Sequence, residues 1–92
     1  MITGFAHKGL RGLFATGSTS GVPAERAAKL LRMLDKLDSA SVPADMSVPG
    51  WNFHPLTGDR AGTYTVSVSG NWRLTFTMSD GDAQSVNLED YH

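Results

Sequence analysis

Apolar and polar residues alternate along three segments of the C-terminal half of the chain, which span residues 64–69, 72–78 and 85–89. A period of two residues is typical of β-strands that bury one face and expose the other. Ser69–Asn71 and Ser79–Asp82 separate these segments, and their glycine, asparagine and aspartate residues favour short hairpin turns. The pattern therefore predicts an antiparallel meander.

The N-terminal half has a helical period instead. Within Lys8–Thr16 apolar residues recur every three or four positions, and Gly17 follows as a stop signal. A second helix is predicted to begin near Pro23, which suits a first helical turn, and to end near Asp38–Ser39. Its apolar stripe consists of Ala27, Leu30, Leu31, Leu34 and Leu37. The stretch that follows, up to Gly50, contains two prolines and is predicted to be an irregular connection.

These apolar faces imply one architecture. Two N-terminal helices bury their stripes against the apolar face of the sheet, and the polar face stays open. A short apolar stretch at Ile2–Ala6 is a candidate for a further strand, which would give a mainly antiparallel sheet of four or five strands. The predicted class is α+β, in a single domain that spans residues 1–92.

The composition is that of an ordinary globular chain, with 40% hydrophobic and 18% charged residues in a total of 92. There are no cysteines, which excludes a disulfide framework and a thiolate metal site. The N-terminus lacks the continuous hydrophobic region of a signal peptide, and no stretch has the length of a membrane span. We therefore expect a soluble cytoplasmic protein with no membrane partner.

Net charge gives little support for nonspecific attraction to nucleic acid. The formal net charge is −1, whereas strong nonspecific binding depends on many positive charges. Residues 1–24, however, contain Lys8 and Arg11 and no acidic residue. A basic patch is therefore expected near the N-terminus, with the acidic residues elsewhere.

Candidate chemistry lies on the open face of the predicted sheet and at the end of the chain. Arg73 alternates onto the polar face among hydroxyl side chains, where it either binds an anion or simply faces solvent; its position favours neither interpretation. His54 is expected to point to the same face if residues 52–55 are extended. The chain ends with four titratable residues, Glu89, Asp90, Tyr91 and His92. Of these, Glu89 is interpreted as a solvated side chain.

Four motifs occur in order along the chain: FAHKGLRGLFATGSTSGVP (5–23), HPLTGDRAG (54–62), NWRLTF (71–76) and NLEDYH (87–92). Together they resemble the HigB toxins of the RelE superfamily, host-inhibition toxins of bacterial type II toxin–antitoxin systems. The resemblance extends over the whole chain and is weakest at residues 39–50. It implies a microbial-RNase fold with the layout predicted above.

The resemblance also implies an activity and partners. Toxins of this family are ribosome-dependent endoribonucleases, which enter the ribosomal A site and cut the mRNA codon held there. A HigA-type antitoxin with a helix-turn-helix domain neutralises the toxin, and the complex represses its own operon by binding operator DNA through the antitoxin. The family needs no metal ion or other cofactor.

The family's catalytic and mRNA-contacting positions carry over to individual residues. The catalytic candidates are His54, Arg73, Asp90, Tyr91 and His92, and the candidates for substrate binding are Lys8, Thr57, Arg60 and Asn71. One of these departs from the family, which often has HPLKGDR where this chain has Thr57. Because the lysine is a phosphate-facing cation and threonine offers only a hydroxyl, we expect a weakened nuclease in which Arg60 reaches the phosphate instead.

Metal-free cleavage of RNA requires a base for the 2′-hydroxyl, an acid for the 5′-oxygen and a cation for the charge that develops on the phosphate. His54 and His92 are the natural base and acid, and the sequence leaves open which is which. Arg73 is the candidate cation. Asp90 could orient an imidazole, and Tyr91 could stack on a base or donate a hydrogen bond, although it could equally anchor the tail.

Two other classes of protein stay open. One is a catalytically weakened or inactive module that binds the antitoxin and modulates repression of the operon, which Thr57 and the low net charge favour. The other is a metal-dependent hydrolase with His54, Asp90 and His92 as ligands, a chemically adequate set for a divalent ion. No pair of these residues has the helical i,i+4 spacing of an HExxH motif, which makes the metal site the weaker alternative.

Overall fold

Two α-helices and a four-stranded antiparallel sheet make up the fold, in a computed structural model that describes residues 1–90. The helices are α1 (Lys8–Thr16) and α2 (Ala27–Ser39), and the strands are β1 (His54–Pro55), β2 (Thr63–Ser69), β3 (Trp72–Ser79) and β4 (Asp82–Asp90). The strands lie in the order β1-β2-β3-β4, and each pairs antiparallel with its neighbours. The predicted α+β class and the meander of β2 to β4 are confirmed.

Helix α1 has the limits that the sequence predicts. At its N-terminus, His7 accepts the backbone N–H of Leu10 on Nδ1 at 3.1 Å and so caps the first turn. At its C-terminus, Gly17 adopts a left-handed φ of 77°, and its N–H donates to the Leu13 carbonyl at 2.9 Å. Both ends of α1 are therefore capped by residues close to it in the chain.

Helix α2 begins later than the sequence predicts. Pro23 precedes a turn of 3₁₀-helix at Ala24–Arg26, and the α-helix starts only at Ala27. The C-terminal end is as predicted. Within the apolar stripe, Leu31 is only half-buried, whereas Met33, which the prediction omits, is fully buried. Neither α1 nor α2 has the length and hydrophobicity of a membrane-spanning helix, and the rest of residues 1–90 contains no other candidate.

Both helices contribute to one core on the apolar face of the sheet. The core combines their buried stripes with alternate residues of the strands. Its largest fully buried side chains include Leu10, Leu30, Met33, Leu34, Leu37, Met46, Leu74 and Phe76. Met46 comes from a short 3₁₀-helix at Pro43–Met46, within the connection predicted to be irregular. Because this face of the sheet is used for packing, the residues that alternate with it can form a site on the other face.

A β-bulge interrupts the alternation in β4. The pairing shifts between Thr75 and Thr77 of β3, so that two residues of β4 stand opposite one of β3. One of the two is Ser85, which adopts a left-handed φ of 53°. The other is Val86, which is buried like Ala83 although the two are three positions apart. A strict period of two does not predict this.

The N-terminal segment covers one edge of the sheet. Ile2 and Phe5 form isolated parallel bridges to Ala83 and Val86 of β4. The Val86 N–H donates to the Gly4 carbonyl at 3.1 Å. The predicted first strand is thus reduced to two bridges, because the chain turns into α1 directly afterwards. The segment still protects part of an edge that would otherwise present unpaired backbone groups.

Candidate functional site

A groove with a volume of about 450 Å³ opens on the polar face of the sheet. Its walls are side chains from the strands and from the loop between β1 and β2, namely His54, Leu56, Thr57, Arg60, Thr65, Arg73, Thr75 and Glu89. Half of these are residues that the sequence selects, which are His54, Thr57, Arg60 and Arg73. The groove is therefore the candidate functional site.

Strand register explains why residues far apart in the chain meet there. His54 of β1 pairs with Thr65 of β2, which in turn pairs with Thr75 of β3. In the adjacent row, Arg73 of β3 pairs with Glu89 of β4. Residues two apart on a strand point to the same side, so both rows face the groove. The expected sharing of one face by His54 and Arg73 is what this register produces.

Arg73 is held close to the sheet at the β2–β3 hairpin. Its Nη1 donates to the carbonyl of Gly70 at 3.1 Å, and the side chain is half-buried. Gly70 adopts a left-handed φ of 53° at the turn, which glycine tolerates without strain. Anchoring the guanidinium in this way lowers the side-chain entropy that would be lost when it binds an anion.

His54 is exposed and also makes a defined contact. Its ring nitrogen Nδ1 lies 3.0 Å from the backbone carbonyl oxygen of Asn52. Asn52 has a φ of 50°, in the left-handed region that few residues other than glycine adopt. The imidazole is therefore oriented by the backbone that precedes it.

Glu89 forms the opposite wall of the groove. Its carboxylate accepts two hydrogen bonds from the guanidinium of Arg60, at 2.8 and 2.5 Å, and one from the hydroxyl of Thr75 at 2.7 Å. The interpretation of Glu89 as a solvated side chain is wrong. Its alternation with Leu88 did place it on the face of Arg73, but its partner Arg60 lies 29 positions upstream, which no local pattern indicates.

The ion pair perturbs both partners. The hydrogen bonds from Arg60, reinforced by the one from Thr75, hold the pKa of the Glu89 carboxyl below its usual value, although its partial burial acts in the opposite direction. The same contact raises the pKa of Arg60. The charge of Arg60 is thus already paired with the carboxylate of Glu89.

Thr65 contributes a buried hydroxyl to the floor of the groove. The residue is only 3% exposed, and Oγ1 has no hydrogen-bond partner among residues 1–90. A buried polar atom without a partner costs about 1–3 kcal/mol, so native proteins seldom leave one unsatisfied. The sequence did not select Thr65, because a threonine on the polar face of a strand is unremarkable without its tertiary surroundings.

The other candidates are placed less centrally. Thr57 is exposed at the rim of the groove, directly before the 3₁₀-turn Gly58–Arg60. Asn71 is exposed in the turn that anchors Arg73. Lys8 is the exposed first residue of α1 and does not line the groove.

Two catalytic candidates, Tyr91 and His92, lie outside the described residues. The catalytic candidates at the end of the chain form a terminal cluster, Asp90–His92, of which only Asp90 is described. Asp90 is exposed as the last residue of β4 and pairs with Trp72. By alternation it shares the face of Leu88 rather than that of Glu89. Within residues 1–90, no three His, Cys, Asp or Glu side chains group closely enough to hold a metal ion.

Two comparisons place the chain among known proteins. The sequence profile of a family described as HigB-like toxin, the RelE-like toxin HigB of type II toxin–antitoxin systems, matches residues 3–92. A protein of Proteus vulgaris named Endoribonuclease HigB is 44% identical over 92 residues, which is 100% of each of the two chains. Both matches include every residue of the groove.

Proposed function

Because this chain belongs to the HigB-like toxin family of type II toxin–antitoxin systems, we propose that it is a ribosome-dependent endoribonuclease. It cleaves the mRNA codon held in the ribosomal A site and thereby inhibits translation. The observation that carries this proposal is the groove, in which an imidazole and an anchored guanidinium face the same open space from neighbouring rows of the sheet. The name of the Proteus vulgaris relative supports the same activity.

The chemistry follows from the residues of the groove and the end of the chain. His54 and His92 transfer protons to and from the reacting oxygens, a contribution of about 10²–10⁴-fold in rate for each positioned group. Arg73 stabilises the charge that develops on the phosphate. Asp90 orients an imidazole, and Tyr91 stacks on a base or donates a hydrogen bond. No metal ion or other cofactor takes part.

RNA contacts extend from the groove along its rim. Thr57, Arg60 and Asn71 border the path of the phosphate backbone, and Lys8 adds positive charge near the N-terminus. The Thr65 hydroxyl can gain the hydrogen bond that it lacks when a ribose or phosphate oxygen enters the groove. Net attraction is weak, because Glu89 neutralises Arg60 and Thr57 adds no charge.

The toxin has protein partners as well as RNA. A HigA-type antitoxin with a helix-turn-helix domain neutralises it, and the complex reaches operator DNA only through the antitoxin. Toxin and antitoxin act in the cytoplasm, where the ribosome is found, and residues 1–92 form a single toxin domain.

A second function has specific support. The cation that the family often places in HPLKGDR is Thr57 here, and Arg60, the nearest replacement, is paired with Glu89. A chain with this groove could bind the antitoxin and modulate operon repression with little or no cleavage. We favour the active but weakened nuclease, because His54, Arg73 and the terminal cluster are all present.

Mapping of mRNA 5′ ends tests the proposal. Ribosomes stalled with a defined codon in the A site are incubated with the toxin, with and without a chelator, and free mRNA serves as the comparison. Codon-aligned cuts on ribosomes only, unaffected by the chelator, are expected. His54→Ala and His92→Ala should abolish them, whereas Arg32→Ala, on the exposed side of α2, should not. Equal cutting of free mRNA would contradict ribosome dependence, and no cutting at all would favour the second function.

A further inference from the structure

A further β-bulge lies immediately before His54. In the register of β1 and β2, His54 pairs with Thr65. Two residues further along each strand, this register would place Asn52 opposite Ser67 and bring the Ser67 N–H to the Asn52 carbonyl. The Ser67 N–H donates instead to the carbonyl of Trp51, at 2.7 Å. One extra residue is therefore inserted on the β1 side, and the Asn52 carbonyl is released from the sheet.

The released carbonyl turns towards the groove. With its left-handed φ of 50°, Asn52 directs its carbonyl oxygen to within 3.0 Å of Nδ1 of His54. Asparagine tolerates this conformation better than most residues other than glycine, and a β-branched residue is a genuine outlier there. The contact thus depends on the identity of residue 52, although a backbone atom makes it.

This contact determines which nitrogen of His54 carries the proton. A carbonyl oxygen can only accept a hydrogen bond, so Nδ1 must be the donor, and Nε2 holds the lone pair in the neutral ring. His7 has the opposite arrangement, because its Nδ1 accepts the Leu10 N–H at 3.1 Å. The chain therefore contains two histidines held in opposite tautomers, each by a backbone group.

We propose that Asn52 is a positioning residue, which holds His54 in the tautomer with an unprotonated Nε2 and thereby makes His54 the general base. The role as base rests on the proposed function, whereas the tautomer does not. Nε2 takes the proton of the 2′-hydroxyl while O2′ forms its bond to phosphorus. The bond from phosphorus to O5′ breaks, and O5′ takes a proton from the acid, for which His92 is the candidate. The products are a 2′,3′-cyclic phosphate and a 5′-hydroxyl, and the His54 imidazolium retains the proton it removed.

Nitrogen-15 NMR of histidine-labelled protein tests the tautomer without any measurement of activity, because protonated and unprotonated ring nitrogens of a neutral imidazole have well-separated shifts. At a pH where the rings are neutral, His54 should show a protonated Nδ1 and an unprotonated Nε2. His7 should show the reverse and serves as the internal reference. A His54 ring protonated on Nε2 instead overturns the proposal.

Two variants of residue 52 link the tautomer to the reaction. Asn52→Gly tolerates the left-handed φ and should keep both the spectrum of His54 and the rate of RNA cleavage. Asn52→Val should shift His54 towards the other tautomer. The rate of RNA cleavage should fall in proportion to the fraction of molecules in which His54 no longer carries a proton on Nδ1. The largest loss is about 10²–10⁴-fold, the whole contribution of a positioned base. Ser85→Val is the matched control, since Ser85 has a φ of 53° in the bulge of β4.

The control separates positioning from stability. Both valine variants should melt at a lower temperature than the wild type, because each places a β-branched residue at positive φ. Only Asn52→Val should change the His54 spectrum. An Asn52→Val protein that keeps the wild-type His54 spectrum contradicts the proposal. So does one in which the spectrum changes but the rate of RNA cleavage does not. A wild-type protein with the expected spectrum but no cleavage would overturn the proposed function and leave the tautomer assignment supported.

Discussion

The guanidinium of Arg60 and the carboxylate of Glu89 form a bidentate ion pair, at 2.8 and 2.5 Å, between residues 29 positions apart. The pair joins the loop after β1 to the last strand and closes one side of the groove. Thr75, on the neighbouring strand β3, donates a further hydrogen bond to the Glu89 carboxylate. The pair therefore both supports the wall of the site and cancels the charge of one of the two arginines that line it.

Stability should depend on this pair in a defined pH window. The folded state lowers the pKa of Glu89, so the pair stabilises the protein fully above the pKa of an unfolded glutamate, about 4.3, and this stabilisation is lost as pH falls from there through the lower pKa of the folded state. Glu89→Gln should lower the free energy of unfolding by about 0.5–1 kcal/mol at pH 7, since half-exposed Arg60 is screened by solvent. Urea denaturation of both proteins at pH 7 and pH 3 measures the difference.

The comparison isolates Glu89 from other carboxylates. Asp45, whose pKa is also lowered because it accepts the N–H groups of Ser41 and Val42, is present in both proteins and cancels in the difference. The gap between wild type and Glu89→Gln should be smaller at pH 3 than at pH 7. A gap of the same size at both values would mean that the charge of Glu89 does not stabilise the fold.

A lysine at position 57 should strengthen cleavage. Thr57 is exposed at the rim of the groove, so a longer cationic side chain can reach a bound phosphate without displacing the core. We expect Thr57→Lys to cut ribosome-bound mRNA at least about tenfold faster, with about 10²–10³-fold, the effect of one charge-stabilising donor, as the upper limit. Thr57→Gln, of similar length but neutral, should stay near the wild-type rate. Equal rates for the lysine and glutamine variants would contradict a role for charge here.

Two glycines should resist substitution because their backbones touch. A Cβ on Gly9 of α1 would lie 2.0 Å from the carbonyl oxygen of Gly21, and a Cβ on Gly21 would lie 2.6 Å from Cα of Gly9. Either alanine variant should lose at least about 1–3 kcal/mol of unfolding free energy, the usual result of overpacking. Gly12→Ala is the control, since nothing lies within 4 Å, and it should gain about 0.5–1 kcal/mol from helix propensity. Thermal denaturation ranks the three, and a Gly9→Ala protein as stable as wild type would rule out the close contact.

The two buried threonines of the groove should respond in opposite directions to replacement by valine. Thr65→Val removes a hydroxyl that has no partner among residues 1–90, so the free energy of unfolding should rise by about 1 kcal/mol. Thr75→Val removes the hydrogen bond to Glu89 and should lower it by about 1 kcal/mol. Chemical denaturation measures both. Destabilisation by Thr65→Val equal to that by Thr75→Val would show that the Thr65 hydroxyl has a partner in the free protein.

Periodicity, together with the glycine and turn residues between the periodic segments, was sufficient to predict the α+β class, the limits of α1 and the meander of the three long strands. These features depend on local preferences, namely helical spacing, a left-handed Gly17 and glycine-containing turns. Each of these preferences is set within about ten consecutive residues. Alternation also placed His54 and Arg73 on the open face, and the motifs indicated the family and, with it, the groove residues Thr57 and Arg60. Each of these inferences uses neighbours in the chain.

The bulges in β4 and before His54, and the two contacts that shape the site, were decided by tertiary structure. Whether Glu89 faces solvent or Arg60, and whether the Asn52 carbonyl binds Ser67 or His54, depends on how one strand is aligned with another. A shift of one residue reverses the face of every side chain beyond it, so alternation within a strand cannot specify the partner across it. Chain periodicity thus determines which faces exist, and long-range register determines which charges and hydrogen bonds meet on them.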